Sequence, residues 1–131
     1  MMVDDENDQI ISLKIAIEEA FGNKYQIVTA NSGMKCLQLL KNNETPDLIF
    51  LDIMMPEMSG WELFDKIKDN PSWENIPIVF LTARTDRVAE NAGQFLGDGF
   101  IEKPVETNEL VNMIEKTLKK HIKKNTNEKY F

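Results

Sequence analysis

Cysteine occurs once in the 131 residues, as Cys36, which rules out a disulfide within the chain. Cys36 lies in the apolar-periodic segment MKCLQLL and is expected to be a small packed side chain rather than a reactive thiol. Long hydrophobic runs are missing too. No stretch approaches the roughly 18 apolar residues of a membrane span, and the opening residues, MMVDDEND, are too acidic for a signal peptide. Positive charge is also scarce: 15 Lys and Arg against 22 Asp and Glu leave a formal net charge of -7. Phosphate contacts need clustered Lys and Arg, so no nucleic-acid partner is expected. The single basic run, Lys119 to Lys124, suits the negative end of a closing helix. No repeat, low-complexity tract or internal linker interrupts the chain. It reads as one domain, 42% hydrophobic, with a cytoplasmic location and no membrane partner as the expectation.

What is present alternates between two periodicities. Helical spacing of apolar residues runs through DQIISLKIAIEEAF, GMKCLQLLKN, GWELFDKIKDN and NELVNMIEKTLKKHI, and more weakly from Asp86 to Leu96. Short apolar runs lie between them, YQIVTA, DLIFLD, IPIVFLT and GFIEK, set apart by turn signals such as Gly22-Asn23, Asn42-Asn43 and Pro77. Strands that are apolar on both faces and alternate with helices predict a parallel sheet covered on both sides. The fold class expected is therefore α/β, a single doubly wound domain over residues 1–122 with a polar, frayed tail at 123–131. Only three residues precede Asp4, so the first strand is expected to be short.

In such sheets the chemistry gathers at the carboxyl ends of the strands. The run Leu48-Ile49-Phe50-Leu51 ends there in a lone carboxylate, Asp52. The first strand leads into Asp4-Asp5, IPIVFL leads into Thr82, and GFIE leads into Lys103-Pro104. Each residue alone is ordinary, since an Asp after a strand usually forms a turn or caps a helix. Together they set acids, a hydroxyl and an ammonium around one carboxylate. Clustered carboxylates repel unless a cation intervenes, and carboxylate and carbonyl oxygens suit Mg²⁺ or another divalent ion. Metal, Lys and Thr around an Asp form a site for a phosphoryl group carried on that Asp.

These stretches make the chain resemble the receiver domain of two-component response regulators. The likeness rests on VDDE (Val3 to Glu6), LDIMMPEMSGWEL (Leu51 to Leu63), FLTART (Phe80 to Thr85) and GDGFIEKPV (Gly97 to Val105), and it covers Met2 to about His121. The resemblance implies a flavodoxin-like fold with five parallel strands. It implies Asp52 as phosphoacceptor, with a histidine kinase or histidine phosphotransfer protein as donor. Asp5, Asp52 and the Met54 carbonyl would bind Mg²⁺, with Asp4 assisting, often through water. Thr82 and Lys103 would hold phosphoryl oxygens, a cis bond before Pro104 would orient the lysine, and Pro56 and Gly60 would shape the loop after Asp52. Phe100 matches the aromatic switch that turns inward when Thr82 moves. Tyr is commoner there, so any step needing a phenolic hydroxyl is lost while steric coupling survives. Met54 and Arg84 occupy rate-tuning positions. As a bulky pair they predict a long-lived phosphorylated form.

Other classes fit less well. A haloacid-dehalogenase-type phosphatase needs a second acid two residues after the nucleophile, and Met54 stands there. A flavodoxin-like cofactor binder would need a phosphate loop after the first strand, where DDEND would repel it. Met54, Met55 and Met58 suggest a soft metal, but carboxylates dominate and no His is near. A degenerate receiver that only docks partners should have lost an acid, Thr or Lys, and none is lost. The expectation is a signalling switch rather than an enzyme, acting on an unidentified downstream protein through the surface near Phe100, with homodimerisation on phosphorylation open. It is either a stand-alone receiver or part of a larger regulator.

Overall fold

The computed structural model describes residues 1–83 and 97–130, with side chains as far as residue 120. Its elements run β1 (Met2–Val3), α1 (Asn7–Phe21), β2 (Thr29–Ala30), α2 (Gly33–Lys41), β3 (Ile49–Asp52), α3 (Gly60–Lys68), β4 (Ile78–Thr82), β5 (Gly99–Glu102) and α4 (Thr107–Tyr130). The strands form one five-stranded sheet in the order β2-β1-β3-β4-β5, and every pairing is parallel. This is the doubly wound arrangement that the strand-helix alternation predicts.

Alternation along the central strands sorts the core into two. Ile49, Leu51, Ile78 and Phe80 face one side, where they pack with Cys36 and Leu40 of α2 and Leu63, Phe64 and Ile67 of α3. Phe50, Val79, Leu81 and Ile101 face the other, with Leu13 and Ile17 of α1 and Leu110 and Ile114 of α4. Each fully buried Leu, Ile or Phe contributes about 1.5–3 kcal/mol relative to exposure. Strands buried on both faces must be apolar at every position, which is why no polar residue interrupts them before their ends.

Local signals fix the helix starts. Ser32 Oγ accepts from the Lys35 amide at 3.1 Å and Ser59 Oγ from the Glu62 amide at 3.2 Å, so α2 and α3 each begin on a side-chain cap. The α1 helix ends at Gly22, whose φ of 60° favours a residue without Cβ. Cys36 is wholly buried, and burial pushes its thiol up to about 12, so it is the packed residue expected.

Two expectations meet a different outcome. The run YQIVTA pairs only at Thr29–Ala30; it is an edge strand whose one neighbour, β1, offers just two residues. The first strand is as short as the sequence implied. The tail expected to fray continues α4 to Tyr130, in keeping with the strong helix propensity of its Lys and Glu residues. The weak helix at Asp86–Leu96 and the residue Arg84 lie outside the described residues.

Candidate functional site

Asp52 is the last residue of β3, Thr82 the last of β4, Asp4 follows β1 and Lys103 follows β5. Parallel pairing brings these ends to one edge. Lys103 Nζ donates to Asp4 Oδ2 at 3.0 Å and to Asp52 Oδ1 at 3.2 Å, joining residues 99 and 51 positions apart. Asp4 and Asp52 are buried, whereas Asp5 is exposed. Oxygens of Asp4, Asp5 and Asp52 all lie within 4.8 Å of one another.

Burial pushes the Asp52 carboxyl up to about 6; the Asp4 charge adds to this and the Lys103 ammonium opposes it. Burial works against the Lys103 ammonium as well. Its hydrogen bond to Asp4 and the charges of Asp52 and Asp4 outweigh that and hold the lysine above its ordinary value. The pair therefore shares a site in which Lys103 keeps its proton while Asp52 resists giving one up.

The carboxylate set fits a small hard cation. Ligand oxygens around octahedral Mg²⁺ sit about 3 Å apart when adjacent and about 4.2 Å when opposite, from metal–oxygen distances of about 2.1 Å, close to the 4.8 Å within which oxygens of these three acids lie. One face of the cluster, at exposed Asp5, is open to solvent.

Thr82 stands apart. Strand alternation puts it on the side of Ile78 and Phe80, while Asp52 shares the side of Phe50. Among the described residues, its buried hydroxyl oxygen has no hydrogen-bond partner. The structure thus gathers the side chains of Asp4, Asp5, Asp52 and Lys103, while Thr82 meets Lys103 through the backbone, Lys103 N donating to Thr82 O at 2.6 Å.

The loop after Asp52 is tightly folded. Met58 N donates to Pro56 O at 2.7 Å, and Glu57 adopts a φ of 66°. Gly60 N donates to Ile53 O at 2.8 Å. A Cβ on Gly60 would strike the Asp52 carbonyl oxygen and stand 2.7 Å from Ile53 Cα, so only glycine allows α3 to start against the end of β3. Pro56 is exposed, and Met54, two residues after Asp52, is 68% exposed. The Lys103–Pro104 peptide is cis.

Phe100 is half-buried, packs on the α2/α3 side and pairs in register with Phe80. The sequence reading missed how Phe80 is held. Its ring lies 4.7 Å from that of Trp61 and 5.3 Å from that of Phe64, measured between centroids. The available signal was an aromatic directly after a glycine that starts a helix.

Among the described residues, no helix is long and apolar enough to cross a membrane. Comparison with known proteins agrees with the fold. Residues 1–115 match the model of the response regulator receiver domain. The response regulator SaeR of Staphylococcus epidermidis is 36% identical over 130 residues, 98% of this chain and 54% of that protein. Histidine kinase P4 of Formosa agariphila is 34% identical over 112 residues, 85% of this chain and 8% of the kinase. The chain therefore spans about half or less of these curated relatives. The crystal structure of a CheY-like response regulator receiver domain protein from Methanospirillum hungatei superposes with a TM-score of 0.72 at 38% identity, covering 90% of this chain and 89% of that one. On its family match, its relatives and its five-stranded parallel sheet, the chain belongs to the response regulator receiver domains of two-component signalling.

Proposed function

We propose that the chain accepts a phosphoryl group on Asp52 from a phosphohistidine donor, a histidine kinase or histidine phosphotransfer protein, and thereby switches a protein-interaction surface. The observation that carries this reading is the Asp52 carboxylate itself. It is buried, hydrogen-bonded to Lys103 at 3.2 Å, and within one cation's reach of Asp4 and Asp5. An Asp52 oxygen attacks phosphorus as the phosphorus–nitrogen bond of the donor breaks, and the imidazole leaves with the electron pair. Lys103, held charged by its acidic neighbours, stays paired with the transferred oxygens. Asp5 and Asp52 with the Met54 carbonyl would hold Mg²⁺, assisted by Asp4. Bound there, the ion supplies positive charge to the phosphoryl oxygens.

The position of Met54 argues against turnover of external phosphate esters, because a thioether cannot donate a proton to a leaving group. Residues 1–122 form the receiver in this reading, which operates in the cytoplasm. Its output passes to a downstream protein through the surface near Phe100. Met54 and Arg84 slow the access of water to the acyl phosphate.

The test is intact mass after incubation with Mg²⁺ and acetyl phosphate, with Asp52→Asn as control. A phosphoryl adduct that needs both Mg²⁺ and Asp52 is expected. No adduct, together with no response to beryllofluoride, would overturn the reading in favour of a phosphorylation-independent docking module.

A further inference from the structure

The aromatic cluster behind Thr82 is tied to the phosphoacceptor strand by a second route. Gly60 is clamped to β3, its amide on Ile53 O and its backbone so close that a Cβ would strike the Asp52 carbonyl, so the residue that follows has a fixed position relative to Asp52. That residue is Trp61, whose half-buried indole stacks on Phe80 at 4.7 Å with the rings tilted by 45°. Phe80 has no free side. It is completely buried, Phe64 flanks it at 5.3 Å, and the backbone at Gly97 is close enough that a Cβ there would sit 2.8 Å from the ring. Phe100 lies beside Phe80 in register, and Thr82 lies two residues further along the same face of β4. The space into which the Phe100 ring could turn is therefore bounded by Phe80, and the place of Phe80 is set by Trp61.

We infer that Trp61 is a positioning residue of the switch. By backing Phe80, the first turn of α3 decides how much room Phe100 has to turn inward, in parallel with the movement of Thr82. The inference rests on the phosphoacceptor reading above. Close-packed rings have discrete arrangements rather than continuous give, so removing the indole lets Phe80 retreat and favours the inward state of Phe100. A ligand that selects the activated state then binds more tightly.

The experiment is a double-mutant cycle on the full chain, with Trp61→Ala and Phe100→Leu singly and together. The probe is beryllofluoride with Mg²⁺, and binding is followed by NMR of the aromatic ring signals. Trp61→Ala is expected to tighten apparent beryllofluoride binding about fivefold, at the low end of ordinary coupling between sites, and this gain should vanish in the Phe100→Leu background. The Phe100 ring signals of Trp61→Ala without ligand should move toward their ligand-bound positions. Purely additive effects of the two substitutions would overturn the inference, because a structural role for Trp61 alone would not depend on Phe100. Should Trp61→Ala fail to fold, Trp61→Phe completes the cycle, with a smaller gain that must likewise vanish in Phe100→Leu. Failure of the unsubstituted chain to bind beryllofluoride would instead strike the phosphoacceptor reading and the inference with it.

Discussion

Asp52→Asn should make the metal-free protein more stable, and the size of the gain should depend on pH. The carboxyl is buried and stands beside Asp4, which lifts it from 3.8 to about 6. A carboxyl raised on folding stabilises the folded state fully below its unfolded value and loses that contribution as pH rises through the folded value. Between about pH 4 and about pH 6 the native protein holds a proton that the unfolded chain has released, so stability falls across that window. The interval from 3.8 to about 6, at about 1.4 kcal/mol for each pH unit, amounts to about 3 kcal/mol. Asp52 is only 6% exposed, so solvent screening removes little of this. Asparagine keeps the shape and an oxygen for Lys103 but carries no charge. In EDTA, Asp52→Asn should therefore exceed the unsubstituted protein by about 3 kcal/mol near neutral pH, or about 10 °C in Tm for a domain of this size. The gain should shrink toward nothing as pH falls to about 4. Urea unfolding followed by circular dichroism across the pH range measures it. A gain that is constant with pH, or a loss of stability near neutrality, would refute the account of Asp52 as a strained charge. Added Mg²⁺ should narrow the difference by stabilising the unsubstituted protein more than Asp52→Asn, since the variant lacks one of the three carboxylates.

Other perturbations follow from the same geometry. Thr82→Val replaces a buried hydroxyl that has no partner among the described residues with a methyl of similar size, so it should raise stability by about 1 kcal/mol in urea unfolding while shortening retention of the phosphoryl group. Gly60→Ala drives a methyl into the Asp52 carbonyl and Ile53 and should cost about 3 kcal/mol, with the phosphorylation rate falling as the loop is displaced. Lys103→Met removes the cation that opposes the rise of Asp52, so the Asp52 carboxyl signal in NMR should titrate above about 6. Cys36, buried and pushed up to about 12, should resist thiol reagents in the native state and react only on unfolding.

Much of the site was legible because its residues sit at strand ends, and strand ends are announced by sequence. Each apolar run stops where the chain leaves the sheet, and the residue at the stop, Asp52 or Thr82, is placed by that fact alone. Lys103 could be paired with the acids from charge and topology before any distance was known. The shortness of β2 was less visible, because YQIVTA has the composition of a strand and only its neighbour limits how much of it can pair. The extent of α4 was hidden by a polar composition that suits a frayed tail and a solvated helix equally. The side of the sheet taken by Thr82 relative to Asp52 depends on strand parity across two registers, and the Trp61–Phe80 stack on the angle at which α3 leaves Gly60. Neither has a local signature.

The two-sided core has a consequence for how the molecule tolerates change. Phe80 and Phe100 belong to the α2/α3 side, while α1 and α4 pack on Phe50, Val79, Leu81 and Ile101 of the opposite one. The sheet is thus a partition wall between two compartments that share strands but no buried side chains. A rearrangement of rings in one compartment need not disturb packing in the other, and substitutions on opposite sides of the wall should combine additively. Packing on the α1/α4 side is then free to vary without shifting the rings beside Phe100.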